Sequence, residues 1–411
     1  MRILVVTSVF PNAKQPTFGN FVHTRVAHLA RECDVLVVAP VPWFPFNRLW
    51  RGPERSGIAG HERQGELSVH HPKFLSFPGI FKCLDGILYF LSILLCVRRL
   101  RRQFPFDVID AHFAYPDGMA ACLLARVFRC PVVVTIRGTL LPLSRHRLRR
   151  VQAAWTLRKA TRIFSVSESL KELAVSLGAQ TEKIRVIPNG VDTDTFHPRS
   201  RADARAELGL PAGRPVVVSV GSLCLRKGHQ RVIEALPEVV RRHPDVLYVV
   251  VGGPDLEGNT GPRLAQQTRD LGLARNVRLS GARPHAEIPL WLAAADIFCL
   301  ATSNEGRANV IMEALACGIP VVTTRVGGNA EVVEEGGNGL LVPLDDTGAL
   351  GRALIAAIDT DWNHEMIAAP WQARSWKSTA ADVLEEFRMM LRESATPDAT
   401  VRSLRASGDG R

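Results

Sequence analysis

The sequence predicts two doubly wound α/β domains, each a largely parallel sheet with helices on both faces. Three observations carry that expectation. Short β-branched runs alternate with helical patterns along the chain, twelve of them in two sets of six. The runs are apolar almost without interruption, as parallel strands covered on both faces must be. One turn-rich stretch separates the two sets, and 411 residues suffice for two or three separate cores.

Taken in order, the first set comprises 3–7, 34–39, 107–112, 131–137, 162–166 and 184–188. The opening run carries one charge, is too short for a signal-peptide apolar region and lacks a small-residue cleavage site, so it reads as a buried first strand. Asn189-Gly190, His197-Pro198 and Gly213-Arg214-Pro215 supply the turn chemistry of a boundary. The second set is 215–221, 245–253, 276–280, 296–301, 319–324 and 339–343. This divides the chain into a first domain at 1–198, a second at 199–372, a last helix at 373–395 and a disordered Ser/Gly/Asp/Arg-rich tail at 396–411. In doubly wound sheets a ligand sits at the carboxyl ends of the strands.

Charge separates the halves more sharply than length does. The net charge is +11, yet residues 1–198 hold 27 basic and 14 acidic side chains, and residues 199–411 hold 24 and 26. The longest apolar stretch, 86–97 (GILYFLSILLCV), has 12 residues, against the roughly 20 needed to span a bilayer. Arg98, Arg99, Arg101 and Arg102 follow it, so it reads either as a core helix or as an interfacial helix on anionic lipid. Between Asp117 and Glu168 there is no acid, and Arg145, Arg147, Arg149 and Arg150 crowd one short piece of that span. No nucleic-acid-binding module accompanies these basic tracts, so an anionic membrane surface or a phosphate-bearing acceptor is the expected partner. The eight cysteines are scattered without a Cys-x-x-Cys pair and read as buried reduced thiols of a cytoplasmic chain.

Two segments of the second domain have the makings of a site. In 303–320 (SNEGRANVIMEALACGIP), Asn309 suits a helix N-cap and Gly318 a helix end, with Val310, Ile311, Ala314 and Leu315 on the buried face. Glu305 then lies in the loop before the helix and Glu313 in its first turn. Carboxylates accept hydrogen bonds from vicinal sugar hydroxyls, and the free N–H groups of a helix start attract an anion. In 220–229 (VGSLCLRKGH), Arg226 and Lys227 between Gly221 and Gly228 suit a diphosphate, without the pattern of a P-loop. The bland alternative for each is a solvated charge on a surface.

The first domain offers a glycine loop, Pro16-Thr17-Phe18-Gly19-Asn20, and two residues at strand ends, His112 and Arg137. His112 reads equally as a satisfied structural histidine. Asp192-Thr193-Asp194 imitates a metal-binding Asp-x-Asp but follows the Asn189-Gly190 turn and reads as structural. Elsewhere no constellation with metal spacing appears.

With these residues on the page, the chain resembles the retaining two-domain (GT-B) nucleotide-sugar glycosyltransferases of family 4, also called group 1, from Met1 to about Leu391. The Gly19 loop, 186–192 (VIPNGVD), Arg226-Lys227-Gly228 and the Glu-x7-Glu pair Glu305 and Glu313 carry the resemblance. Segments 326–331 and 337–343, and Trp376 ahead of the last helix, look similar as well.

The resemblance implies two Rossmann-like domains facing across a cleft, with the last helix returning to the first domain. It implies that Glu313 binds the donor ribose, that Glu305 with the backbone of Gly306, Asn309 and Val310 holds the donor sugar, and that Lys227, Arg226, Gly19, Gly221 and Ser222 serve the diphosphate. No metal and no cofactor are implied beyond the nucleotide-diphosphate sugar itself. Two departures stand out. Ser222 takes the place where many relatives have Arg, and Arg137-Gly138 the place where many have His-Gly. Arg137 is then expected to contact a phosphate, with His112 as a replacement histidine near the acceptor. The implied activity is hexosyl transfer to a lipid-linked or polysaccharide-intermediate acceptor at the cytoplasmic membrane face. A nucleotide-sugar epimerase on the same fold and a catalytically silent sugar-nucleotide-binding protein are the alternatives.

Overall fold

A computed structural model describes residues 1–45, 57–77, 79–255 and 257–395. All twelve expected runs are strands. Among the described residues, the first unit comprises those within Met1–Val166, Lys171–Ile187 and 377–395; the second comprises those within Ser167–Leu170 and Pro188–Trp376. The division thus falls at Pro188, eleven residues before the position expected from turn chemistry, and a four-residue piece, Ser167–Leu170, belongs with the second unit. The expected tail at 396–411 lies outside the described residues.

In the first unit the strands are β1 (Arg2–Val6), β2 (Asp34–Val38), β3 (Val41–Trp43), β4 (His61–Gln64), β5 (Leu67–His70), β6 (Lys73–Leu75), β7 (Val108–His112), β8 (Val132–Ile136), β9 (Arg162–Ser165) and β10 (Ile184–Val186). Eight of them form one sheet in the order β10-β9-β8-β7-β1-β2-β5-β4. All its pairings are parallel except β4 with β5. A separate parallel pair joins β3 to β6. These four strands between β2 and β7 escaped the sequence reading for a physical reason. β4 is an edge strand of polar residues (HERQ), and β3 and β6 are three residues each, so none shows the continuous apolar run of a covered strand.

The strand order reverses between β1 and β7, so the loops after those two strands flank the switch point of the first sheet. Gly19 ends the loop after β1 at φ +79°, and a Cβ there would press on the Val9 carbonyl. Only glycine accepts both conditions cheaply. The last helix, Trp376–Ala395, packs its apolar face into this unit: Ala380, Val383, Leu384, Phe387 and Met390 join Ile3, Val5, Val26 and Phe164 in one core. Arg162 Nη2 donates to Glu393 at 2.8 Å near its end.

The second unit holds β11 (Val216–Val220), β12 (Leu247–Val251), β13 (Val277–Gly281), β14 (Ile297–Leu300), β15 (Val321–Thr324) and β16 (Gly339–Val342). They form a fully parallel sheet in the order β13-β12-β11-β14-β15-β16. This is the doubly wound arrangement, with its switch point between β11 and β14. Its helices cover both faces because their apolar stripes leave no other way to escape water. In His229–Arg242, for example, Val232, Ile233, Leu236 and Val239 are all fully buried.

Candidate active site

Both motifs of the second unit lie at its switch point. After β11 the chain turns through Gly221 and Ser222 into a short 3₁₀ turn, Leu225–Lys227, and then into the helix His229–Arg242. Gly228 joins the two at φ +79°, where a Cβ would run into the Ala301 carbonyl oxygen just past β14. Ser303 N (2.8 Å) and Thr302 Oγ1 (3.0 Å) donate to the Arg226 carbonyl, tying the loop after β14 to the cationic turn. Close packing of two loops from neighbouring strands therefore sets where Arg226 and Lys227 stand.

Their side chains converge on one oxygen. Lys227 Nζ donates to Glu305 Oε1 at 2.7 Å and Arg226 Nη1 to the same oxygen at 2.9 Å. Arg226 also grips Glu257, through Nε at 2.9 Å and Nη2 at 2.8 Å. Burial opposes the Arg226 charge, but its hydrogen bonds to Glu257 and the nearby Glu305 carboxylate outweigh it and raise its pKa. The hydrogen bond from Arg226 in turn lowers the pKa of Glu257. Glu257 also forms, with Cys224 and Asp255, a group of potential metal ligands among the described residues. Both Glu257 oxygens take hydrogen bonds from Arg226, and Asp255 Oδ1 accepts from the Glu257 N–H at 2.7 Å.

The second carboxylate stands farther into the helix than expected. The helix is Asn309–Ala316, so Ala308, not Asn309, is the N-cap, and no side chain caps it. Asn309 is instead the first helical residue, and its Oδ1 accepts from Asn189 Nδ2 at 2.8 Å. The Asn189-Gly190 segment uses that amide, which is why it is unavailable for capping. Glu313 is the fifth residue of the helix, beyond the first turn, and half-buried. Val310 is only partly buried, with Met312 taking the buried place beside Ile311, Ala314 and Leu315. Gly306 is buried, its carbonyl accepting from Gly328 N at 3.0 Å.

Three residues that motif reading passed over adjoin these. His285 Nε2 lies 3.8 Å from Glu313 Oε1, and the neighbouring Glu313 carboxylate is the first cause of its raised pKa. Arg307 lies 3.9 Å from Glu331, and burial brings its pKa down to about 10. Glu331 accepts from the backbone N–H groups of Glu168 and Ser169, both at 2.9 Å. The 326–331 segment had been noticed only as a likeness. Ser222 Oγ lies 3.5 Å from Cys224 Sγ, and its carbonyl accepts from Cys224 N at 2.8 Å. Gly221 N donates to Val251 O at 3.0 Å, aligning this loop with β12.

In the first unit, His112 and Arg137 do come together, but inside the protein. His112 is 0% exposed and Arg137 6%. Arg137 Nη2 lies 3.4 Å from His112 Nδ1, and its guanidinium stacks over Phe21 at 4.7 Å. Arg25 Nη2 donates to Asp110 Oδ2 at 2.9 Å, and His112 Nε2 is 3.5 Å from the same oxygen. Burial pushes the Asp110 carboxyl up, but Arg25, His112 and Arg137 together hold it down to about 2. Burial lowers His112 to about 4 and Arg137 to about 9. His112 is therefore enclosed beside Arg137, an environment that suits a satisfied structural histidine. Asp117 is likewise fully buried. Burial raises its pKa to about 7, against hydrogen bonds from Ser8 and the Tyr89 hydroxyl.

The arrangement of the second unit is thus two cations at the carboxyl end of one strand, a shared carboxylate from the next loop and a second carboxylate on an uncapped helix. The sequence pattern of the group 1 glycosyl transferases matches residues 200–369, and that of glycosyltransferase family 4 matches residues 18–195. The chain is 28% identical over 394 residues to the glycosyltransferase TuaC of Bacillus subtilis (strain 168), named for teichuronic acid biosynthesis, covering 94% of this chain and 93% of that one. It is 30% identical over 367 residues to the GDP-mannose-dependent alpha-(1-6)-phosphatidylinositol monomannoside mannosyltransferase of Mycolicibacterium smegmatis, covering 86% and 88%. Among solved structures, sucrose-phosphate synthase from Thermosynechococcus elongatus superposes with a TM-score of 0.80 at 20% identity, covering 96% of this chain and all of that one.

Proposed function

The chain belongs to the family 4, group 1 glycosyltransferases, and on that premise we propose that it is a retaining hexosyltransferase working without a metal ion. The donor is a nucleotide-diphosphate sugar and the acceptor a lipid-linked or polysaccharide-intermediate glycan. The reaction takes place at the cytoplasmic face of the membrane, with the protein peripheral to it. The observation that carries this reading is the shared Glu305 oxygen, at 2.7 Å from Lys227 and 2.9 Å from Arg226.

The charges fit the chemistry in the following way. Transfer breaks the bond between the sugar C1 and the diphosphate, leaving a second negative charge on the leaving phosphate. Lys227 and Arg226 lie where that charge is to be neutralised, and Glu305 holds both cations in place before the donor arrives. The same carboxylate accepts hydrogen bonds from sugar hydroxyls, and Glu313 from the ribose. In front-face displacement the acceptor oxygen attacks C1 on the side the diphosphate leaves, and its proton passes to a phosphate oxygen. No protein base is required, which agrees with a neutral, enclosed His112. Preorganised cations of this kind contribute about 10²–10³ each to the rate.

The likeness to a GDP-mannose-dependent enzyme acting on a phosphatidylinositol mannoside supports a nucleotide sugar and a lipid-borne acceptor. The test is incubation with a panel of nucleotide sugars, membranes and a chelator. Nucleoside diphosphate released only with acceptor supports the reading. Interconversion of the sugar without release assigns an epimerase, and binding without turnover across the whole panel assigns a silent binding protein.

A further inference from the structure

No helix among the described residues is long and apolar enough to cross a membrane. One helix nevertheless carries its apolar side chains on the wrong side for a core. In Asp85–Gln103, Gly86, Tyr89, Ile93 and Val97 face inward and are buried. Ile87, Leu91 and Leu95 recur every four residues on the opposite face, about 12 Å of one helix side. Leu84 and Phe81 extend the row through the preceding turn, and the five are between 41% and 65% exposed.

Single exposed leucines are ordinary on protein surfaces, but an aligned row is not. A second element adds to it. On the helix Arg147–Lys159, Leu148 and Val151 are 65% and 64% exposed. Gln152, one turn beyond Leu148, donates to the Cys83 carbonyl at 2.8 Å. That bond brings the start of this helix beside Leu84, so the two apolar sets converge.

The rim of the patch has one sign. Arg98, Arg99 and Arg102 are exposed at the far end of the row, and Arg145, Arg147 and Arg150 beside Leu148. The one acid of the helix Asp85–Gln103 is Asp85 itself, which is buried and paired with Lys82 at 2.9 Å. No acid occurs between Asp117 and Glu168. An apolar strip bordered by arginines matches a surface with an apolar interior and anionic headgroups.

We propose that the first unit rests on an anionic lipid bilayer through this face, with Phe81, Leu84, Ile87, Leu91 and Leu95 in the acyl boundary and the arginines at the phosphates. The proposal deepens the functional reading and rests on it for the lipid-borne acceptor. It joins the two sequence readings of this stretch, with the helix in the core on one side and at the lipid on the other.

The full chain is sedimented with vesicles of phosphatidylcholine alone and of phosphatidylcholine with phosphatidylglycerol, at low and high salt. The expected result is binding to the anionic vesicles only, weakened by salt. Replacing Arg98, Arg99 and Arg102 by Gln weakens it about a hundredfold at low salt. Leu91→Gln and Leu95→Gln each weaken it about tenfold, with unchanged salt dependence. Circular dichroism and nucleoside diphosphate affinity report whether the variants fold and keep the donor site, and neither should change. Equal binding to both vesicle types, or none to either, overturns the proposal. So does a dimer that Leu91→Gln splits without affecting vesicle binding, because a second copy then covers the row. Loss of nucleotide binding in the wild type sinks the functional reading and leaves the vesicle result standing by itself.

Discussion

Lys227→Ala separates the catalytic part of the donor site from its structural part. The substitution removes an ammonium that is 16% exposed and 2.7 Å from Glu305, itself 14% exposed. Glu305 is not left alone, because Arg226 Nη1 still reaches the same oxygen at 2.9 Å. The cost in stability should therefore stay near that of one hydrogen bond to a charged group with a partner to spare, about 1 kcal/mol. On the proposed reading the catalytic cost is larger, since the ammonium is one of two cations assigned to the leaving phosphate. Removing one preorganised donor costs about 10²–10³ in kcat, or about 2.7–4 kcal/mol. Initial rates of nucleoside diphosphate release over a range of donor concentrations, beside urea unfolding, measure the two effects separately. The reasoning is refuted by an unchanged kcat/KM in a folded variant. Arg226→Ala adds a check, because both cations act on one Glu305 oxygen. The double variant should lose less than the sum of the single losses, and strict additivity would break the proposed wiring.

Other outcomes follow from neighbouring residues. Glu313→Gln should weaken nucleoside diphosphate binding about tenfold to a hundredfold by calorimetry, the worth of hydrogen bonds to a charged acceptor. It should also lower the His285 pKa followed by NMR, since Glu313 is the first cause of its rise. Gly228→Ala should cost about 3 kcal/mol or more in urea unfolding, because it meets both a φ of +79° and the Ala301 carbonyl. Asp117→Asn keeps the shape of a carboxyl whose folded pKa is about 7, above its ordinary 3.8. The protonated form is favoured by folding, so its stabilising contribution is complete below pH 4 and is lost as pH rises toward 7. The Asn variant has no such loss. Its stability relative to wild type should climb by about 4 kcal/mol over that window and level off above pH 7. A flat difference would show that Asp117 ionises normally in the fold.

Much of the fold was readable from the chain because its strands are buried on both faces. A run such as Val216–Val220 has no other place to go, and Gly228 or Gly19 after such a strand signals a tight turn. That Lys227, Arg226 and Glu305 lie in loops at strand ends was readable for the same reason, and the structure brings these three together. What escaped depends on contacts far apart in sequence. Glu257 reaches Arg226 from 31 residues away, and Asn189 takes the Asn309 amide from 120. No local pattern foretells either. The strand β4 was hidden because an exposed edge can be built from polar residues. The enclosure of His112 was not readable either, because a strand end need not face solvent. Arg25, from the helix Asn20–Ala30, and Arg137, after β8, close over it together with Asp110.

The central claim is transfer with retention, and proton NMR of a running reaction tests it most directly. With the accepted donor, the membrane acceptor and a chelator present, the donor anomeric signal should decay. A glycoside signal of the same anomeric configuration should rise with it, in step with nucleoside diphosphate release. A product of inverted configuration, or a change of sugar identity with the diphosphate bond intact, would contradict the account.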